Sequence, residues 1–186
     1  MQPEIIISIL LGIGLSASAG FRVFIPLLVA SIAAKFGWLP LEQGFGWIAG
    51  YPAMICFATA TIAEIAAYYI PVVDNFLDLI TTPMAIASGT LLATSVLPVD
   101  NDLLKWVVGI LLGGGSAGII QTGTALLRLA STKTTAGFGN PVLSTAEHAA
   151  AFGSSVFAIT IPIIAGIVML VFLVFLVRKI FSLKKW

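Results

Sequence analysis

Residues 159–177 read ITIPIIAGIVMLVFLVFLV, nineteen positions without a single charge. A barrel strand would alternate apolar and polar residues over about ten positions, and this stretch shows no such period. Wound as a helix at about 1.5 Å per residue it reaches about 28 Å, close to the ~30 Å of a bilayer's hydrocarbon layer. The run therefore reads as the bulk of a membrane-spanning helix over about residues 157–177, and the rest of the chain follows suit. Of 186 residues, 59% are hydrophobic and 9% are charged, against roughly a quarter charged in soluble domains. A water-soluble fold would have too few polar side chains for its surface, whereas a bilayer accepts apolar residues facing outward and demands that the backbone satisfy itself.

Four further candidate segments lie upstream. The first, residues 5–34, is interrupted by Ser16-Ala17-Ser18-Ala19-Gly20, Arg22 and Pro26. It is too long for one straight span and reads as a kinked helix, a broken helix or two limbs of a non-crossing hairpin. The second covers residues 47–70 and carries Glu64; a short third, residues 84–97, follows Pro83; a fourth, residues 106–130, contains Gly113-Gly114-Gly115-Ser116-Ala117-Gly118. Between the second and third, residues 71–80 place Asp74 and Asp78 at i and i+4 on what reads as a short amphipathic interfacial helix bracketed by Pro71 and Pro83. Residues 131–144 read as the longest polar loop. The expected architecture is an all-α polytopic transmembrane bundle of about five segments, with four to six crossings, broken or re-entrant helices, and one membrane domain over residues 1–186.

Arg178, Lys179, Lys184 and Lys185 crowd the C-terminus, which places that end in the cytoplasm and the protein in the inner (cytoplasmic) membrane. The amino-terminal stretch lacks the basic flank of a secretory signal and is expected to be retained. A net charge of +1 gives no footing for nucleic acid. One cysteine and one histidine allow no internal disulfide and no Cys/His metal cage, and no cofactor motif is present. Membrane lipids, a small solute or cation, and further copies of the chain are the partners left.

Several elements of the first half return in the second. Ser18-Ala19-Gly20, Leu27-Leu28, Ala30-Ser31 and Phe36-Gly37 are echoed in order by Ser116-Ala117-Gly118, Leu126-Leu127, Ala130-Ser131 and Phe138-Gly139, and Ala63-Glu64-Ile65-Ala66-Ala67 by Ala146-Glu147-His148-Ala149-Ala150. The bland explanation is chance recurrence of small residues; the sharper one is an inverted repeat with halves 4–97 and 105–178, an arrangement that transporters use to build a site where interrupted helices meet.

Charges within apolar segments each add about 2.5–3.5 kcal/mol to insertion, so each calls for a partner or a wet cavity. Arg22, Glu64, Arg128 and Glu147 are the clearest, with Asp74, Asp78 and the uncharged Gln121 as further candidates for binding a solute or ion. An Arg22–Glu64 ion pair would satisfy two of them, and Arg128 could snorkel to the headgroups. No nucleophile elbow, metal-binding His pair or phosphate loop is present.

Ala19-Gly20-Phe21-Arg22 with Pro26-Leu27-Leu28, the block from Glu64 to Asp78, and Thr134-Thr135-Ala136-Gly137-Phe138-Gly139-Asn140-Pro141-Val142 together resemble the DUF4126 family of small membrane proteins. The resemblance implies a membrane location and no activity. It also implies a charged residue at the position of Tyr68 or Tyr69 and a second glycine at that of Ala136, from which this chain departs. Three functions follow from the residues: a transporter or channel for a small solute, ion or lipid; a structural or assembly protein whose buried charges only hold the bundle; and an intramembrane enzyme using Glu64, Asp74, Asp78 and Glu147 with an external metal. A polar cavity reaching Glu64 would favour the first, a dry paired Arg–Glu core the second, and clustered carboxylates around a metal the third.

Overall fold

The computed structural model describes the backbone of residues 3–69 and 71–183 and the side chains of residues 4–69 and 80–182. The described residues form seven helices and no strand: α1 (Pro3–Ala19), α2 (Phe24–Lys35), α3 (Tyr51–Tyr68), α4 (Pro71–Val96), α5 (Asp102–Thr135), α6 (Asn140–Thr160) and α7 (Pro162–Leu183), with a 3-10 turn at Gly46–Ala49 before α3. Helices α3, α5 and α7 are long and apolar enough to cross a membrane. On α7 the large apolar side chains Ile163, Ile167, Val171 and Phe175 lie exposed, a surface that lipid covers and water would not tolerate.

Of the three readings of the first segment, the hairpin holds. Helix α1 meets α6 in descending order: Gly14 abuts Ala158, Ser154 donates a hydrogen bond to Ser18 Oγ, and Arg22 reaches Glu147. Helix α2 meets α6 in ascending order, Ile25 beside His148 and Ala33 beside Val156. The two limbs therefore run in opposite directions, and residues 20–23 form a tip inside the protein. At 17 and 12 residues they are about 25 and 18 Å long, each short of a full span. The turn closes through Gly20 and Phe21 N–H groups donating to the Ala17 and Ser18 carbonyls. Gly20 is jammed against Ala117 and Ile120 of α5, where a β-carbon would collide with the Ala117 carbonyl.

Three expected boundaries move. Pro83 does not separate two elements, because α4 runs through it; buried membrane-type helices tolerate proline where neighbouring groups satisfy the freed carbonyl. The side chains of Asp74 and Asp78 lie outside the described residues. The polar loop at residues 131–144 shrinks to four residues, 136–139: Thr134 and Thr135 turn their hydroxyls back onto the Ala130 and Ser131 carbonyls and stay helical, and Pro141 sits in the first turn of α6. The last candidate span divides at Ile161, where α6 ends and α7 begins at Pro162.

The Gly-rich run stays helical too, as a π-helical stretch at Gly109–Gly114 inside α5. It packs against α4 so closely that a β-carbon on Gly113 would land on the Gly89 carbonyl. Leu11, Leu15, Leu27, Ala30, Leu92 and Val96 form the core around which α1, α2 and α4 close.

Candidate functional site

The tip of the α1–α2 hairpin gathers the buried charges. Breaking the helix at residues 20–23 frees the N–H groups that open α2, and in an apolar interior each must find an acceptor. Glu64, four residues from the end of α3, supplies both: Oε1 accepts from Val23 N–H at 3.0 Å and Oε2 from Phe24 N–H at 3.1 Å. A carboxylate is well matched to a helix N-terminus, where the backbone dipoles leave partial positive charge. On the other side Ser88 of α4 donates to the Val23 carbonyl at 3.1 Å.

Arg22 does not pair directly with Glu64. Its Nη2 donates to Glu147 Oε2 at 2.7 Å and reaches the Ser144 carbonyl at 3.5 Å, both on α6. Arg128 of α5 converges on the same carboxylate, Nε donating to Oε1 at 3.2 Å and Nη2 to Oε2, with a further bond from Nη2 to Ser144 Oγ at 3.3 Å. Glu147 is thus gripped by two guanidiniums, one of them in the fork geometry that suits arginine and carboxylate. Snorkelling is not what Arg128 does: it is 4% exposed, Arg22 2%, Glu64 6% and Glu147 7%, so all four charges are held inside the protein.

Tyr68, in the last turn of α3, makes the floor of the cluster. The Arg22 guanidinium carbon lies 3.6 Å from its ring centroid and that of Arg128 4.3 Å, so one ring face system serves two cations. Nothing in the sequence pattern marked Ser144 as a partner, and Tyr68 stood out only as a departure from the family pattern; its spacing one turn beyond Glu64 puts both on one side of α3. His148, beside Glu147 in sequence, points elsewhere, its ring stacked on Tyr69 and edge-on to Tyr68.

Gln121 is not part of this group. It lies about two turns before Arg128 on α5 and donates to Thr81 Oγ1 of α4 at 3.1 Å. Among the described residues no set of three His, Cys, Asp or Glu side chains gathers as a metal site.

Three span-length apolar helices, in a bundle that buries an Arg–Glu–Arg cluster, define an integral membrane protein of the helical-bundle class. The chain belongs to the family described as "Domain of unknown function (DUF4126)", whose model matches residues 9–182, nearly its whole length. Comparison with curated proteins and with solved structures found no match.

Proposed function

We propose that the protein carries a small solute or ion across the inner (cytoplasmic) membrane, its C-terminus in the cytoplasm, and that the hairpin tip is its gate in the closed state. The observation that carries this reading is the sharing of Glu147. Here both Arg22 and Arg128 lean on one carboxylate, while Glu64 binds backbone N–H groups at the mouth of a half-length helix. Neutralising Glu147 by a proton or a bound cation would remove the charged partner of Arg22 and so loosen the tip that follows α1. Discontinuous helices whose termini meet charged groups inside the protein are the usual material of transport sites.

The recurrence of the two halves, 4–97 and 105–178, belongs to the same proposal. In its favour, the two small-residue stretches touch, Gly20 against Ala117, and the two recurrent glutamates flank one tip. Against it, Ser18-Ala19-Gly20 ends a helix whereas Ser116-Ala117-Gly118 lies within one. Also against it, α1 and α5, which carry the two runs, point the same way, both antiparallel to α4, whereas an inverted repeat needs them opposed; superposition of the halves is the test, and unrelated arrangements would remove the repeat.

A second reading has its own support: the four charges are bonded, and none of the larger described cavities is lined by Glu64, Arg22, Arg128 or Glu147. In that reading the cluster is a clamp and the protein a structural or assembly component. Proteoliposomes decide between them. Under an imposed pH gradient or potential, purified protein should move protons, alkali cations or members of a small-solute panel faster than empty vesicles, and Glu147→Gln should change that rate. Vesicles as tight as the protein-free control for every probe would leave the clamp.

A further inference from the structure

A groove runs along the outside of the bundle between α2, α3 and α6, and it is lined by the same helices that carry the charge cluster. Its upper part, about 380 Å³, is walled by Ile25, Leu28, Phe152 and Ala149 and also by Thr61 and His148; its lower part, about 210 Å³, continues over Val29 and Ile32 to Trp38 and Thr160. Val29, Ile32 and Phe152 line both parts, so the two form one channel. The eleven steps of α6 from Ala149 to Thr160 make it about 17 Å long. That length is about half the ~30 Å hydrocarbon layer, the reach of one acyl chain.

Polar satisfaction separates this groove from the other one. Thr61 Oγ1 and His148 Nε2 are buried without a hydrogen-bond partner among the described residues, and Thr61 as a whole is 8% exposed. Both residues lie at the upper end, one turn before Glu64 and immediately after Glu147. An orphaned polar group in an apolar setting is unfavourable, and native structures keep such groups for a reason. The groove between α4, α5 and α7, near Gly114 and Gly118, about 480 Å³, has no such orphan.

The geometry points to a binding site for one acyl chain of a bilayer lipid, the chain lying along α2 and α6 and an ester oxygen at the upper end meeting the Thr61 hydroxyl. The level fits. Counting about 20 residues of hydrocarbon thickness upward from Trp106 on α5 reaches residue 126, so the Arg128 cluster and the adjacent polar end of the groove come near the membrane boundary, where ester groups reside. A lipid there would fill the groove, accept a hydrogen bond from the Thr61 hydroxyl, and brace α2 against α6. The site stands independently of transport, since it needs only a groove and a bilayer.

Full-length protein in phosphatidylcholine vesicles, doped with a phosphatidylcholine bearing a mid-chain diazirine, tests it. After irradiation, adducts mapped by peptide mass spectrometry should concentrate on Val29, Ile32, Phe152 and Val156, about tenfold over the exposed α7 residues Val171 and Phe175. Val29→Trp, which fills the slot, should abolish that excess and leave α7 labelling unchanged. Thr61→Val, which keeps shape and removes the hydroxyl, should lower the excess severalfold in a protein of normal fold, and serves if Val29→Trp does not fold. Labelling equal to that of α7, or an excess indifferent to the substitutions, overturns the proposal.

Discussion

Two stretches of this chain look alike in sequence and fold differently. Residues 16–20 and residues 113–118 are both runs of Gly, Ala and Ser within apolar segments, yet α1 ends at the first and reverses into α2, while α5 passes straight through the second. Small residues let helices approach, and both stretches do so, Gly20 against Ala117 and Gly113 against Gly89. What makes a break affordable is a set of partners for the freed backbone groups. The tip at residues 20–23 has Glu64 for its N–H groups and Ser88 for a carbonyl; the π-helical stretch keeps its hydrogen bonds within the helix. Composition permits a break, and distant polar side chains decide it.

The sharpest way to test that contrast is to strip the tip of its counter-charge. Glu147→Gln should leave Arg22 and Arg128 without their shared carboxylate and lower stability by about 3–5 kcal/mol, read as a large fall in melting temperature in detergent. Adding Arg22→Met should recover part of the loss, a non-additivity that purely independent roles would not produce. Glu64→Ala comes next, at about 2–3 kcal/mol, because two buried N–H groups lose a charged acceptor. If hydrogen exchange at Val23 and Phe24 stayed as slow as in the parent protein, Glu64 would not be what holds the break.

In the unbroken stretch the expectation reverses with position. Gly113→Ala should destabilise by about 2 kcal/mol by forcing α4 and α5 apart, whereas Gly115→Ala, with nothing near its new methyl group, should stabilise by roughly 0.5–1 kcal/mol. Equal effects at both positions would mean that packing does not distinguish them. The smallest change is Ala136→Gly. Ala136 has φ +53°, the left-handed region that glycine occupies freely, so the substitution should raise stability by about 0.5–1 kcal/mol in thermal melts.

That last position shows where the sequence was readable. A second glycine at 136 in the family pattern fits the left-handed backbone found there, but the threonines around it made the segment look like a long loop. Thr134 and Thr135 are ambiguous by composition, since their hydroxyls can satisfy either a loop or the helix beneath them, and only packing chose the latter. Helices α3, α5 and α7 were legible because length and apolarity suffice for a span. All four buried charges were legible as well, because charge in an apolar run is conspicuous. Their pairing was not: Arg22 and Glu147 are separated by 125 positions, and Glu64 was the nearer opposite charge. No local pattern encodes that a helix end would claim Glu64 first. Asp74 and Asp78 were equally conspicuous, and Pro83 looked like a boundary because proline usually is one in soluble helices.

The same separation of 125 positions has a meaning for biosynthesis. Arg22 leaves the ribosome long before its carboxylate partner exists: at about 5–20 residues per second the delay is on the order of 6–25 s. Through that interval the α1–α2 limbs, each too short to span, carry an unneutralised guanidinium. The contact that closes the tip can therefore form only once α6 has been made, so the carboxyl-terminal third of the chain completes the amino-terminal one.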